Sequence, residues 1–289
     1  MEKNEQRPLV SVIIPTFNRG WILGEAIRSV LDQTYRSLEI IVVDDGSTDD
    51  TPNLLHTFGR QIEVIFQANK GVSAARNVGI KRSRGDLIAL LDSDDLWTPD
   101  KIQRQVAFFN DNPDAMICQT QEIWIRNGRR VNPKNKHTKQ GGMIFEPSLE
   151  LCLVSPSAVM IRPALFDLKG YFDERLPACE DYDLWLRVSA THPIHLMEQA
   201  CTIKRGGHDD QLSRQHSLDR HRIDAIERLL AAEILTPEQR RAAKKVFQKK
   251  TVIYGQGCIK RGRADLGNRY IAKGEPESLP GVETVRTVD

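Results

Sequence analysis

Short apolar runs alternate with helically spaced segments over the first hundred residues. Residues 9–14 (LVSVII) are nearly all apolar and end at Pro15, which predicts a buried strand. In 21–31, Trp21, Ile22, Leu23, Ala26, Ile27, Val30 and Leu31 recur at three- and four-residue spacing, the signature of one helix face. Residues 38–43 (LEIIVV) read as a second buried strand, closed by Asp44-Asp45-Gly46. A short helix over 50–57, a strand over 62–66, a helix over 71–83 and a strand over 87–91 follow. A further helix is predicted over 99–110, with Thr98 as its cap and Pro99 in its first turn. Strands alternating with helices predict a doubly wound, mostly parallel sheet flanked by helices. In such sheets ligands bind beyond the carboxyl ends of the strands. Polar clusters fall there: Pro15 to Asn18, Asp44 to Ser47, and Asp92 to Asp95.

Beyond residue 115 the pattern is mixed. A strand is expected over 116–125, a polar loop with Asn127-Gly128 over 126–142, and a helix over 183–190. From 217 onward the spacing is helical, and Thr236-Pro237-Glu238-Gln239 has the form of a capping box. The expected organisation is an α/β domain over 1–215, a helical basic extension over 216–273 and a polar tail over 274–289. Within the domain, the regularly alternating part is 1–115 and the mixed part 116–215.

Charge and cysteine usage narrow the picture. The net charge is +2, which gives no reason to expect a nucleic-acid partner. Residues 236–273 hold eleven Lys and Arg against two acids, a local +9 that leaves −7 for the rest. Such an end is either a solvated face or a docking surface for anionic membrane. The five cysteines are scattered without a CxxC pair, as expected of free thiols in a reducing cytoplasm. The N-terminus lacks a signal-peptide core, and there is no apolar run of about 18 residues. The expected location is therefore cytoplasmic or peripheral at the inner face of the membrane.

Several clusters carry candidate chemistry. Asp92-Ser93-Asp94-Asp95 puts three carboxylates in four residues, which repel one another unless a cation sits among them. Mg²⁺ or Mn²⁺ holding a diphosphate answers that, while a solvated loop with a helix cap is the plainer reading. The cluster starting at Asp44-Asp45-Gly46 can bind a base or ribose, or simply make a turn. The small residues from Gly71 to Ala75 open a helix whose free N–H groups attract anions, and Arg76 can reach a phosphate or sugar. Glu180-Asp181 starts a helix, as a cap or as a general base for an attacking hydroxyl. Trp185 offers a flat wall to a sugar ring, or core packing. His208 follows two glycines and can fold back toward a metal, or do nothing of the kind.

The stretches VSVIIPTFNR, EIIVVDDGSTDDT, NKGVSAARNVGI, GDLIALLDSDDLWTPDK and CEDYDLWLR resemble the family 2 glycosyltransferases, which have the GT-A fold. The resemblance spans residues 10–187. It implies a nucleotide-diphospho-sugar donor, UDP being the commonest, bound by Pro15, Thr16, Phe17, Asn18, Asp44, Asp45, Arg76, Asp92 and Ser93. It implies a metal at Asp94 and Asp92, with His208 matching a histidine that some members place nearby, and Asp181 as catalytic base. Most members invert the anomeric centre in one displacement. The Gln-x-x-Arg-Trp motif and the membrane helices of polymerising members are absent from this sequence. A single addition to a saccharide or lipid-linked acceptor, in bacterial surface polysaccharide or glycoconjugate synthesis, is what the resemblance implies. Glu180, Trp185, Ser155 and Ser157 are candidate acceptor contacts.

Three rival functions fit the residues less well. A nucleotidyltransferase needs a glycine-rich loop where PTFNRG stands, and a dehydrogenase needs GxGxxG after a strand. Neither is present. An inactive nucleotide-sugar-binding protein would have lost the base or metal motif, and both are retained.

Overall fold

The run at residues 9–14 becomes strand β1 (Val10–Thr16), buried at all seven positions. In the computed structural model, which describes residues 7–207 and 218–275, β1 lies at the centre of a parallel half-sheet. It is followed by α1 (Leu23–Leu31), β2 (Leu38–Asp44), α2 (Thr51–His56), β3 (Glu63–Phe66), α3 (Val72–Arg82) and β4 (Leu87–Leu90). The spatial order of the four strands is β3-β2-β1-β4, all parallel. The chain goes outward from β1 and returns to its other side, so the carboxyl ends of β1 and β4 flank a crevice.

Next come β5 (Leu96–Trp97), α4 (Lys101–Asp111), β6 (Ile117–Arg126) and β7 (Arg129–Val131), then α5 (Phe145–Glu150), β8 (Val159–Ile161) and α6 (Ala164–Lys169). The α/β part closes with α7 (Glu180–Ser189) and β9 (His195–Gly206). These strands continue the sheet as β4-β8-β6-β9-β5, in mixed directions, with β7 paired to β6. Helices α8 (Leu218–Ala231), α9 (Pro237–Lys260) and α10 (Ala264–Lys273) complete the described chain.

Alternation along β1 divides the core. Val10, Val12 and Ile14 pack on the face covered by α1 and α4, while Ile13 packs on the face of α3, α6 and α7. Each such buried aliphatic side chain stabilises the fold by roughly 1.5–3 kcal/mol. A third cluster joins α5 and α7 to α8, α9 and α10. Helix α7 is therefore gripped from two sides, with Leu184, Trp185 and Val188 in one core and Tyr182 and Leu186 in the other. Gly79 lets α3 lie against β1, since a Cβ there would come within 2.3 Å of Ile13 Cγ2.

Two expectations are corrected, and strand β9 is new. Thr98 is not the cap of the fourth helix: α4 starts at Lys101 with Asp100 in the cap position. The backbone N–H of Thr98 instead donates to Cys201 O at 3.0 Å, which prolongs the β5–β9 ladder and delays the helix. The polar stretch after residue 126 opens as a hairpin rather than a loop. Asn127 and Gly128 both have positive φ, the two-residue turn whose twist suits paired strands. Strand β9 was not foreseen, because HLMEQACTIKRG has no two-residue alternation, and its pairing with β6 shifts register twice.

Candidate active site

A cleft of about 760 Å³ opens at the carboxyl ends of β1 and β4. One wall is made by the loops after β1 and β2, which hold each other. Asn18 takes a positive φ of 53°, donates its N–H to Ser47 Oγ at 2.8 Å, and accepts from Thr48 N at 2.8 Å through Oδ1. Asp45 ties this wall to the start of α3. One of its oxygens accepts from Gln67 Nε2 (2.6 Å) and Lys70 N (2.9 Å), the other from Gly71 N (2.7 Å). Pro15, Thr16, Phe17, Asn18 and Asp45 all line the cleft. The Thr16 hydroxyl is buried with no partner among the described residues, and the Phe17 ring is exposed. Asp44 is a correction. It does not line the cleft: one oxygen accepts from Ser47 N at 2.9 Å, and the other is buried without a partner among the described residues.

The acidic loop after β4 is held in place by a polar frame. The buried Ser157 hydroxyl donates to Asp95 Oδ2 at 2.7 Å and accepts from Asp92 N at 3.1 Å. Asp95 Oδ1 accepts from Arg205 N at 2.9 Å, so both oxygens of Asp95 are occupied within the protein. Burial pushes the Asp95 carboxyl up, and Asp94 and Asp92 push it further against the pull of Lys204. Asp92, Ser93, Asp94 and Asp95 all line the cleft.

Arg76 is only 3% exposed yet lines the cleft. Its guanidinium donates to Asp92 Oδ1 at 2.7 Å and to Glu180 Oε1 at 2.6 Å. Burial alone would lower its pKa, but the two carboxylates more than offset that and keep it charged. Arg76 thus joins the acidic loop to the start of α7. Glu180 is correspondingly engaged: burial and its neighbour Asp181 push its carboxyl up, and Arg76 opposes them.

The far wall carries Asp181, at the first turn of α7 and lining the cleft. Its Oδ1 accepts from Tyr182 N at 2.7 Å, and Oδ2 accepts from Cys152 Sγ at 3.6 Å. Cys179, with φ 60°, makes the turn that presents the Glu180-Asp181 pair. Three acceptor candidates are corrected. Trp185 is only 1% exposed and stacks edge-on with Phe172 in the core, because its register on α7 points it at the sheet. The Ser157 hydroxyl is used up by the frame, and the buried Ser155 hydroxyl accepts from Lys204 Nζ at 3.3 Å. Neither serine lines the cleft. His208 lies outside the described residues.

Lys204 and Arg222 are among the cleft residues that the sequence does not single out. Lys204, on β9, faces Glu122, Asp95, Asp92 and Asp181, which together outweigh its burial and raise its pKa. Glu122 is held down to about 2: burial would raise it, but Lys139 and Lys204 prevail. Arg222 comes from α8, donates to Asp219 at 3.2 Å and keeps a buried Nε without a partner among the described residues. No short motif marks either residue, since each reaches the cleft only through long-range packing.

Among the described residues, no group of three His, Cys, Asp or Glu side chains could hold a metal ion. A hard cation held by one or two carboxylates and completed by substrate phosphates needs no such group. Asp92 and Asp94 fit that donor set. Both line the cleft with carboxylate side chains, and a buried Arg76 pairs with Asp92.

A protein-family model described as glycosyl transferase family 2 matches residues 11–168. An uncharacterized glycosyltransferase of Rickettsia typhi is 36% identical over 219 residues, covering 73% of this chain and 68% of the relative. The chain belongs to glycosyl transferase family 2. It spans between 33% and 68% of the length of the Rickettsia relatives it matches. Two solved structures share the GT-A fold. Staphylococcus aureus TarS in complex with UDP-GlcNAc superposes with a TM-score of 0.73 at 19% identity, over 93% of this chain and 82% of that one. The mannosyltransferase PcManGT from Pyrobaculum calidifontis, in complex with GDP-Man and Mn²⁺, gives 0.56 at 14% identity, over 96% and 89%.

Proposed function

We propose that the chain transfers one sugar unit from a nucleotide-diphosphate donor to an acceptor hydroxyl, with inversion at the anomeric carbon. The observation that carries this reading is a single cleft lined by the strand-end loops on one wall and Asp181 on the other. In this reading Pro15, Thr16, Phe17, Asn18 and Asp45 receive the base and ribose, and Ser93 and Asp92 border the diphosphate. Arg76 acts through Asp92 and Glu180, which it holds in register. UDP-GlcNAc in TarS makes UDP the first nucleotide to test, and GDP-Man in PcManGT the second.

Asp92 and Asp94 would hold Mn²⁺ or Mg²⁺, with His208 a further candidate ligand; bound there, the cation would neutralise charge growing on the diphosphate. Asp181 takes the proton of the acceptor hydroxyl. The freed oxygen bonds to the anomeric carbon from the side opposite the diphosphate. The carbon–oxygen bond to the diphosphate breaks, and its electron pair leaves on the nucleoside diphosphate. No covalent intermediate with the protein is needed. The acceptor is a saccharide or a lipid-linked saccharide, in the synthesis of a bacterial surface polysaccharide or glycoconjugate.

Asp181→Asn tests the reading. Asparagine preserves the shape and the oxygen that accepts from Tyr182 N. Transfer should fall by about 10²–10⁴-fold, while donor affinity measured by calorimetry stays close to wild type. A variant that transfers at the normal rate overturns the assignment of the base.

A further inference from the structure

Helix α9 has a second face that stands exposed among the described residues. Its buried positions, among them Ala243, Phe247, Tyr254 and Cys258, pack into the third core. The exposed positions recur at three- and four-residue steps on the opposite side. That side carries Lys245, Lys249 and Lys260 around an aliphatic centre of Val252, Ile253 and Ile259. Ile253 is 55% exposed. The only acid in this 24-residue helix is Glu238, in its first turn and paired with Arg241.

We propose that this face of α9 docks on an anionic lipid surface. Aliphatic side chains flanked by lysines are the composition that enters a headgroup layer while its charges meet lipid phosphates. The stripe from Lys245 to Lys260 is about 22 Å long. A small anion could meet only one end of it, whereas a plane meets all of it. A second copy of the chain is a poorer occupant, because like-charged lysines would face one another around only three aliphatic residues. The −7 carried outside residues 236–273 is repelled by the same surface, so the molecule approaches with α9 first.

Docking has a consequence for the cleft, which rests on the transfer reading above. Lys249 Nζ pairs with Glu150 Oε1 at 2.8 Å, and Lys250 Nζ donates to Glu150 O at 3.0 Å. The next two residues, Leu151 and Cys152, line the cleft beside Asp181. The docked face therefore adjoins the acceptor rim, and the acceptor that suits it is lipid-anchored. No described helix is long and apolar enough to cross a membrane.

Co-sedimentation of the full chain with vesicles tests this without any turnover. Wild type should bind phosphatidylcholine vesicles containing phosphatidylglycerol, bind pure phosphatidylcholine weakly, and be released by high salt. Lys245→Glu with Lys260→Glu should weaken binding by about 25-fold or more, at about fivefold for each lysine charge lost. Val252→Asn with Ile253→Asn should weaken it without changing its salt dependence. Arg129→Glu with Arg130→Glu, the same charge change on the exposed strand β7, should leave it near wild type. Equal binding to neutral vesicles, equal loss in the β7 control, or no binding at low salt overturns the proposal. So does a dimer in sedimentation velocity that Ile253→Asn dissociates. Slow hydrolysis of UDP-GlcNAc by the α9 variants, at the wild-type rate, separates loss of docking from failure of the transfer reading.

Discussion

Lys101 is fully buried, its ammonium 4.0 Å from the centre of the Trp97 ring and bonded to Gln105 Oε1 at 2.6 Å. Burial lowers its pKa to about 7, against the weaker opposing pull of Cys118 and Cys201. In the unfolded chain a lysine titrates near 10.4. Between those values the unfolded chain holds a proton that the folded chain has lost, so stability rises with pH across the window. Below about pH 7 both states are protonated and the full cost of burying the charge is felt. Lys101→Met should remove this dependence, flattening the rise from pH 7 to 10 by on the order of 2–4 kcal/mol. Urea unfolding of both proteins at the two pH values measures it, and parallel curves would refute it. Arg76 makes a related point at the same scale. Its identity and its place at a helix start suggested a phosphate contact, yet its two carboxylate partners lie 16 and 104 residues away. Charge was legible in the sequence, whereas partners that distant were not.

Among elements, legibility followed how local the determining interactions are. The capping box at Thr236 forms as read, with Gln239 N donating to Thr236 Oγ1 at 3.2 Å and Gln239 Oε1 accepting from Thr236 N at 3.0 Å. The first four strands and their helices fall within about two residues of expectation, because buried runs and amphipathic spacing are local signals. Strands β5, β7, β8 and β9 carry no such signal, because short or partly polar segments are strands only by virtue of their neighbours. The loop after β2 depends on Gly46, at φ 82°, where a Cβ would lie 2.9 Å from Asn69 N. Gly46→Ala should destabilise the protein by roughly 1–2 kcal/mol. It should weaken nucleotide binding as well, since the displaced segment carries the N–H groups that Asp45 holds. A variant with unchanged thermal midpoint and unchanged UDP affinity would show that the loop is not fixed in this way.

For the whole molecule, three apolar clusters hold the fold, and no described group of ligating residues forms a structural metal site. Thermal melting of the unliganded protein gives the baseline midpoint. Mn²⁺ with the right nucleoside diphosphate should raise it, by an amount equivalent to about 2.7 kcal/mol at a hundred times the dissociation constant. Asp94→Ala should abolish the metal-dependent part of that increment. A thermal-shift series over UDP and GDP, with and without Mn²⁺, checks both points and identifies the base. An unchanged response of the variant to Mn²⁺ would remove Asp94 from the metal site.

The amino-acid sequence by itself determined the parallel half of the sheet, the strand ends at which polar clusters collect, and the pair of acids that starts α7. These follow from periodicity and from the chemistry of neighbours in the chain. Only the tertiary structure decided which members of each cluster face the cleft. It turned Asp44, Ser157 and Trp185 inward and brought Lys204 and Arg222 in from distant elements. It also tied both oxygens of Asp95 into the frame, to the Ser157 hydroxyl and the Arg205 N–H. The reason is geometric: side-chain direction is set by packing against elements far away in sequence, and a run of acids carries no record of which one is already bonded.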